Sequence, residues 1–324
     1  MNFSTPVVCP LMPFRISHSD NCIFTGSCFA GNIGQKMKDM KIGTSVNPTG
    51  IHYNPLSLAE TLNSALSKRE IEESDLFFAN GKWNHFNFHS EFSAKTKEDA
   101  LKLMNDANKL LKNKLTNTDY LFVTFGTAII YENSKTGNIV TNCHKLPAST
   151  FKQRFVMPEE TISVWTILIS NLKKVDPKIK VIFTVSPIRH LKNGATENQF
   201  SKSSLFLAIK SLISENSNAF YFPAYEIIMD ELRDYRFYAN DMLHPSELGI
   251  NYIWEKFSEV FFNPTTIETN KRIEKIIKAT QHKVFDKTNE NYVKFFQNTL
   301  KEIEILENEN LGLDFSSEKL FFGE

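Results

Sequence analysis

Near the amino terminus the sequence reads Cys22-Ile23-Phe24-Thr25-Gly26-Ser27-Cys28-Phe29-Ala30. Its first four residues form a short apolar and β-branched run, which is typical of a buried strand. Gly26 and Ser27 then interrupt the run with the small residues that a tight turn favours. The stretch therefore predicts a strand that turns into a helix, with Cys28 on the turn.

The same alternation continues along the chain. Short apolar or aromatic runs are separated by longer segments whose apolar residues recur every three or four positions, which is typical of βαβ units. Runs without polar alternation indicate strands that helices cover on both faces, so we predict a three-layer α/β/α sandwich with a mostly parallel sheet. The predicted strands are 22–25, 121–125, 181–185 and 219–222, with a less clear one near 42–46, and helical stripes cover 58–66, 103–111, 165–172, 205–213 and 248–261.

Three segments depart from this pattern. Residues 77–95 alternate aromatic and polar side chains, and residues 131–158 are longer than an ordinary connection, so we predict loop or hairpin insertions there. From about residue 265 the chain is rich in Lys, Glu, Asn and Ile at helical spacing. We expect an α/β domain over 1–264 and a helical extension over 265–324, which packs on the core or provides an oligomer contact.

Composition narrows the class of protein. In 324 residues, 37 Lys and Arg balance 37 Asp and Glu, so no net positive field attracts nucleic acid or an anionic membrane. Hydrophobic residues make up 41%, which is enough for a large core. The sequence shows neither an apolar run of membrane-spanning length nor the pattern of a signal peptide. We therefore expect a cytoplasmic protein with no nucleic-acid or membrane partner.

One of the four cysteines is a candidate nucleophile. Cys9, Cys22, Cys28 and Cys143 contain no C-x-x-C pair, which speaks against a zinc or redox motif. Cys28 should lie at the carboxyl edge of the sheet, where open α/β folds place their ligands. There the positive end of the following helix favours a thiolate, and backbone N–H groups can hold an oxyanion. The alternative is that Cys28 is simply a small buried residue.

A candidate base lies on a loop before a predicted helix, in the stretch Asn240-Asp241-Met242-Leu243-His244-Pro245-Ser246. Asp241 can orient the imidazole of His244 through one ring nitrogen, while the other nitrogen takes a proton from a nucleophile. Asp and His also occur at this spacing by chance, so the pair gains weight from the turn that carries Cys28. Together they predict a Cys28–His244–Asp241 constellation.

Other candidates follow the strand predicted at 181–185. Arg189 and His190 should reach the same sheet edge, where Arg189 either binds an anionic group or forms an ion pair within its loop. His85 and His89 alternate with aromatic residues as in a hairpin, so we predict no metal pair and keep His89 as a cleft candidate. We expect no cofactor.

The sequence resembles a known family. Gly26-Ser27-Cys28-Phe29-Ala30 is the string that names the GSCFA family, which is similar to the SGNH, or GDSL-like, hydrolases. The resemblance implies a flavodoxin-like, SGNH-type sheet and acyl-ester chemistry, and it leaves the substrate open. It spans about residues 5–262, with further family-like stretches at 47–55, 142–145, 186–190 and 234–245.

The resemblance also implies roles for single residues. Against the SGNH motif G-D-S this chain has Gly26-Ser27-Cys28, so Cys28 aligns with the nucleophile and Ser27 with the acidic position. Ser27 stays a weaker nucleophile candidate if the turn is shifted by one residue. The D-x-x-H feature is matched in full, from Asp241 to His244. Because thioesters exchange readily with amines and alcohols, acyl transfer stands beside hydrolysis.

The oxyanion donors of the SGNH pattern are matched only in part. The glycine of the second block corresponds to Gly50, but the third block, normally G-x-N, reads Gly126-Thr127-Ala128 and lacks its Asn. Losing one donor can cost about 3 kcal/mol of transition-state stabilisation, so another group should fill the place. Asn142 is the first candidate and the Thr127 hydroxyl the second, and His144 joins the substrate-binding candidates as a neighbour of Asn142.

These features together predict an SGNH-like hydrolase of the esterase or deacetylase type. Its substrate would be an acyl ester of a small or carbohydrate-like molecule, with aromatic residues of the 77–95 insertion as stacking walls. An acyltransferase on the same site is one alternative. Another is a ligand-binding module whose catalytic centre has decayed, although the retained Asp–His pair argues against decay.

Overall fold

The computed structural model describes residues 4–67, 69–281, 290–309 and 312–322, and a five-stranded parallel sheet forms its centre. This confirms the predicted fold class. The sheet has the spatial order β10-β9-β5-β1-β2, which is that of a doubly wound fold. The strands are β1 Asn21–Gly26, β2 Gly43–Val46, β3 Phe77–Ala79, β4 Lys82–Asn84, β5 Tyr120–Phe125, β6 Ile129–Asn133, β7 Ile139–Val140, β8 Phe151–Phe155, β9 Lys180–Val185 and β10 Ala219–Tyr221.

Alternate residues of the central strands build two separate cores. Ile23 and Leu121 pack with one set of helices, whereas Phe24 and Phe122 pack with the other. Successive side chains of a strand point to opposite faces, so a strand covered on both sides is apolar throughout. The helices of the first core are α2 Pro55–Ser67, α4 Pro158–Val175 and α5 Ala195–Glu215, and α3 Lys97–Leu115 packs beside α2. The helices of the second core are α1 Cys28–Asp39, α6 Ala224–Glu226, α7 Glu247–Phe261, α8 Pro264–Thr280, α9 Glu290–Glu309 and α10 Ser316–Phe322.

The turn between β1 and α1 depends on a glycine. Gly26 has φ +123°, a conformation that side chains disfavour, and a Cβ there would lie 2.1 Å from the carbonyl oxygen of Thr124 in β5. The Gly26 amide donates to Oδ1 of Asn47 at 3.0 Å, and the Ser27 amide donates to the same Thr124 oxygen at 3.1 Å. These contacts end β1 against its neighbour and start α1 at Cys28.

Both predicted insertions form antiparallel sheets. Within 77–95, β3 and β4 make a hairpin, and the 131–158 segment belongs to a three-stranded sheet of β7, β6 and β8. The two insertions pack on each other, because Nε2 of His144 lies 2.9 Å from the carbonyl oxygen of His85. The rings of Phe77 and Phe86 stack at 4.1 Å beside this contact. The insertions therefore form one layer next to the sheet edge.

The C-terminal helices share a core with the α/β domain. Ile273 of α8, Ile303 of α9 and Phe315 lie in the same buried cluster as Met37 of α1. Ion pairs join the helices to each other, from Arg272 to Glu302 at 2.6 Å and to Glu309 at 2.5 Å. Lys41 binds Glu318 of α10 at 2.7 Å, and Lys41 follows the end of α1 that is remote from Cys28. The extension is thus anchored away from the end of α1 that carries Cys28.

Replacing Gly26 by alanine should lower the free energy of unfolding by about 2 kcal/mol or more, because a strained backbone and a clash with Thr124 act together. Gly31→Ala is the matched control, since a Cβ at that α1 position meets nothing within 4 Å. There alanine should raise the free energy of unfolding by about 0.5–1 kcal/mol. Urea unfolding measures both. Equal effects of the two substitutions would contradict the role assigned to Gly26.

Candidate functional site

Cys28 and His244, which are 216 residues apart in the chain, meet at the carboxyl edge of the sheet. Sγ of Cys28 lies 3.7 Å from Nε2 of His244. The fold brings them together because α1 and α7 pack side by side, so that the start of α1 lies near the loop that precedes α7. Ser246 fixes the end of that loop by accepting the Gly249 N–H at the start of α7.

Asp241 holds the imidazole on its other side. Oδ2 of Asp241 lies 2.5 Å from Nδ1 of His244, and Oδ1 accepts the main-chain N–H groups of Leu243 and His244 at 3.0 and 2.9 Å. These main-chain bonds, together with the bond to the His244 ring, lower the pKa of Asp241 to about 2. The carboxylate therefore stays charged at neutral pH. It favours the tautomer that carries its proton on Nδ1, which leaves the Nε2 lone pair directed at Cys28.

The Cys28 thiol is influenced in opposite directions by its surroundings. Burial raises its pKa, whereas the main-chain N–H groups of Cys28 and Phe29 and the charge of Lys202 act to lower it. The sequence-based expectation of a thiolate counted the amides at the start of α1 but not the burial. Because burial is the larger effect, the resting group is a neutral thiol that needs a base.

Ser27 lies beside Cys28 but in a different environment. Its side chain is buried, and its hydroxyl oxygen has no hydrogen-bond partner among the described residues. The group in contact with His244 is the thiol of Cys28. The turn is therefore not shifted toward Ser27 as the nucleophile.

A cleft of about 420 Å³ lies near the Cys28–His244 pair, and neither residue of the pair belongs to its wall. Tyr53 and His190 belong to its wall, and a charge of the pair acts on each of them. Burial, followed by the charge of Cys28, raises the pKa of Tyr53. Burial, followed by the charges of Lys202 and His244, lowers the pKa of His190. The wall combines aromatic, aliphatic, amide and other polar side chains with one lysine, namely Ile51, Tyr53, Asn54, His89, Thr127, Ile129, Tyr131, Val140, Thr141, Asn142, Cys143, Gln153, His190, Lys192 and Asn193.

His190 presents an unpaired ring nitrogen in this cleft. Its Nε2 is buried and has no hydrogen-bond partner among the described residues, and its ring packs edge-on against Tyr53 at 5.3 Å. A Cβ on Gly126 would lie 3.3 Å from this nitrogen, so the ring faces the glycine of the third block. Burial, helped by the charges of Lys202 and His244, lowers the pKa of His190 to about 4. The imidazole is therefore neutral at pH 7.

Two predicted oxyanion groups are already engaged. The Gly50 amide donates to the Asn47 carbonyl oxygen at 2.8 Å. A Cβ at Gly50 would lie 2.3 Å from Cβ of His89, so this glycine serves close packing instead of donation to a substrate. The Thr127 hydroxyl lies 3.0 Å from Oγ of Ser201 and accepts the Ile129 N–H.

The predicted residues of the 131–158 insertion separate. Asn142 lines the cleft, and its Oδ1 accepts the main-chain N–H of His144 at 2.9 Å. His144 itself is buried between the insertions, with its ring edge-on to Phe77, and it is not part of the cleft wall. His144 therefore joins the two insertions to each other, which corrects its predicted place among the substrate-binding residues.

Arg189 is exposed beside the loop that carries the catalytic candidates. Its guanidinium lies 3.0 Å from Sδ of Met229, and none of the ion pairs found among the described residues includes it. The predicted alternative of an ion pair within its own loop is therefore absent from the described part of the chain, and the guanidinium remains available to an anionic group.

The residue types of a metal site do not gather anywhere in the described ranges. No three His, Cys, Asp or Glu side chains there stand close enough to share an ion. His85 precedes Phe88 in the sequence and His89 follows it, and the two rings have different partners. Nδ1 of His85 accepts the Asn87 N–H, and His89 pairs with Glu91. In the same ranges, no helix combines the length and the apolarity that a bilayer crossing demands.

Sequence reasoning missed Lys202, which is fully buried beneath the site. Its Nζ donates to the carbonyl oxygens of Gly126 and Ser186, at 2.7 Å each. A signal was present, because Lys202 lies three residues before Leu205 and so falls on the apolar stripe of α5. A lysine on a buried stripe needs a partner, and here the partners are main-chain oxygens at the sheet edge.

Comparison with known proteins gives a family and two similar structures. No curated protein matches the chain. A carbohydrate esterase family 3 protein from Talaromyces cellulolyticus is 9% identical, with a TM-score of 0.36 and coverage of 78% of this chain and 98% of that one. An acetyl xylan esterase from the rumen bacterium Butyrivibrio proteoclasticus is 10% identical, with a TM-score of 0.31 and coverage of 63% and 55%.

Two family models match the sequence itself. The model of the GSCFA family covers residues 21–257, and the model of the GSCFA domain protein, C-terminal domain, covers residues 273–324. The first match contains Cys28, His190, Asp241 and His244 together with the whole central sheet. Since it spans well over half of the sequence, the chain belongs to the GSCFA family.

Proposed function

We propose that this protein is an acyl-ester hydrolase, of the esterase or deacetylase type, with Cys28 as its nucleophile. The observation that carries the proposal is the row of three groups in which Cys28 Sγ lies 3.7 Å from His244 Nε2, and His244 Nδ1 lies 2.5 Å from Asp241. A nucleophile, a base and a group that orients the base are the parts that acyl transfer requires.

The first step forms an acyl-enzyme. Nε2 of His244 takes the thiol proton while Sγ of Cys28 attacks the carbonyl carbon, and the π electrons move to the carbonyl oxygen. Asp241 stabilises the imidazolium that results. The intermediate then collapses, the bond from carbon to the alcohol oxygen breaks, and His244 gives its proton to the leaving alcohol. A thioester on Cys28 remains.

The second step releases the acid. His244, now neutral, removes a proton from water as that water attacks the thioester carbon. Collapse of the second intermediate breaks the carbon–sulfur bond, and His244 returns the proton to the sulfur. An acceptor alcohol or amine in place of water would make the same site an acyltransferase. Half of the His244 side chain is exposed to solvent, so water can reach the imidazole.

The oxyanion is held in this proposal by the start of α1 and by His190. The N–H groups of Cys28 and Phe29 belong to the first turn of α1, where a helix has no internal acceptors for them, and both act on the charge of the sulfur. His190 faces Gly126 with an unpaired nitrogen, so it can take the place of the Asn that the third block lacks. Asn142, on the same cleft, is the second candidate.

The cleft favours a small, hydroxylated acyl ester. Tyr53 and Tyr131 offer aromatic faces, while Asn142 and Gln153 offer amide groups that both donate and accept hydrogen bonds. His190 is neutral, whereas Lys192 brings a positive charge to the wall and donates to the Tyr131 hydroxyl at 3.0 Å. A sugar ester meets both requirements, because its ring stacks on aromatic faces and its hydroxyl groups pair with amides.

Cys28→Ala and His244→Ala should each lower the hydrolysis of short-chain aryl esters by about 10³-fold or more, because the nucleophile or its base is lost. The matched control is Cys9→Ala, a free thiol whose Sγ lies 3.9 Å from the Val7 carbonyl oxygen, and this substitution should leave the rate unchanged. An acetyl thioester with an alcohol acceptor is tested in parallel, which separates acyl transfer from hydrolysis. If wild type matches both variants on every substrate, the protein is a ligand-binding module.

Asp241→Asn should lower kcat by about 10³–10⁴-fold at pH 7, since the amide no longer favours the proton on Nδ1 of His244. The free energy of unfolding should change little, because the Asp241 side chain is half exposed. Steady-state kinetics and urea unfolding on the same samples measure the two effects. A fall in kcat below threefold would remove Asp241 from the mechanism.

His190→Ala should lower kcat by about 10²–10³-fold with little change in KM, as expected for a donor used mainly in the transition state. Because burial lowers the pKa of His190 to about 4, the wild-type rate should show no step from this residue above about pH 5. Asn142→Ala is measured beside it. A large loss in Asn142→Ala and none in His190→Ala would assign the donor role to Asn142.

A further inference from the structure

Lys202 is a buried lysine that has no carboxylate partner among the described residues. Its side chain has 0% exposure, and its Nζ donates to two neutral main-chain oxygens, those of Gly126 and Ser186. Among the ion pairs of the described residues, none includes Lys202. Burying an ammonium group costs several kcal/mol unless something offsets it, so a purely structural role leaves this lysine unexplained.

The position of Lys202 connects it to the site. Gly126 directly follows β5 and Ser186 directly follows β9, so the ammonium bridges the carboxyl ends of two neighbouring strands. On the other side of β5 lies β1, whose end carries Cys28. The cation is therefore underneath the same sheet edge from which the nucleophile projects.

Three titratable groups face Lys202 from the elements packed around it. Cys28 on α1 and the Lys202 charge each influence the other's titration, and the same charge acts on His190 after β9. The third group is Tyr225, whose ring centre lies 5.8 Å from Nζ. Burial lowers the pKa of Lys202 to about 7, and the charge of Cys28 acts in the opposite direction. Of these three groups, Cys28 is the one that becomes negative in the proposed reaction.

We propose that Lys202 is a positioning residue, whose buried positive charge stabilises the thiolate of Cys28 and draws Gly126 and Ser186 into the shape of the catalytic edge. This inference rests on the proposed function of Cys28. The lysine is the counter-charge that a buried thiol requires when it loses its proton. The cost of burying the ammonium is offset in part by the negative charge that appears on sulfur.

The test is the pH profile of Cys28 alkylation in wild type and in Lys202→Met, which keeps the length of the side chain and removes its charge. Iodoacetamide labelling is resolved by site with peptide mass spectrometry. At pH 6.5, where the Lys202 ammonium is mainly protonated, the labelling rate of Cys28 should fall about tenfold in Lys202→Met, which corresponds to a rise of about one unit in the thiol pKa. The labelling of Cys143, which Lys202 does not influence, should stay the same in both proteins.

Ser201→Ala is the structural control. Oγ of Ser201 accepts the Ala128 N–H at 2.7 Å beside Lys202, so this variant loosens the same edge without changing its charge. It should leave the Cys28 profile unmoved. An unchanged Cys28 profile in Lys202→Met, or an equal shift in Ser201→Ala, overturns the proposal.

A second measurement needs no change at Lys202. In the wild type and in Cys28→Asp, the titration of the Lys202 ammonium is followed by ¹³Cε NMR, and its pKa should be higher in Cys28→Asp, because a carboxylate supplies the negative charge that the resting thiol lacks. Equal values in the two proteins would again overturn the proposal. Neither readout depends on turnover, so an inactive wild type that shows both shifts contradicts the proposed hydrolase and leaves the coupling intact.

Discussion

The close approach of β1 and β5 at Gly26 is the constraint from which the rest of the site follows. The Thr124 carbonyl oxygen occupies the space where any other residue would place a Cβ. Strand β1 ends at this contact, and the next residue, Ser27, donates its main-chain N–H to the same oxygen. The position of Cys28, and hence the direction of α1, is set by one backbone contact between two strands. His244 is brought to this point because α7 packs beside α1.

Burial and charge have opposite effects on the Cys28 thiol. Burial disfavours the ionised form of a thiol and raises the pKa of Cys28. Neighbouring groups act against this effect of burial. The helix amides and Lys202 favour the thiolate, and Nε2 of His244 is placed to accept the thiol proton. The arrangement keeps the resting thiol neutral, and a neutral thiol is less readily oxidised than a thiolate.

The fold could be predicted from the sequence to a large extent, because its signals are local. The runs at 121–125 and 181–185 are apolar without alternation, and only strands covered on both faces tolerate that pattern. The 131–158 segment was less predictable, since its three-stranded sheet depends on pairing between β6 and β8 across a long loop. Its length indicated an insertion, but no short-range pattern specified the pairing.

The site was predictable only where neighbouring residues carry the signal. Asp241 and His244 are three positions apart, so their contact follows from a single loop. The availability of Gly50 and Thr127 depends on Asn47 and Ser201, whose contacts arise from tertiary packing and leave no local trace. The same holds for the Cys28 thiol, because the helix terminus is visible in the sequence and the degree of burial is not.

The shared core of α1 and the C-terminal helices has a consequence for how the protein is assembled. Met37 is buried in the same cluster as Ile273 and Phe315, so the apolar side of the helix that begins with Cys28 is completed by residues from the end of the chain. The helices of residues 264–322 and the α/β domain therefore share one packed core. Without α8 and Phe315, α1 would expose part of its apolar side, and the helix that begins with Cys28 would lose packing that holds it in place.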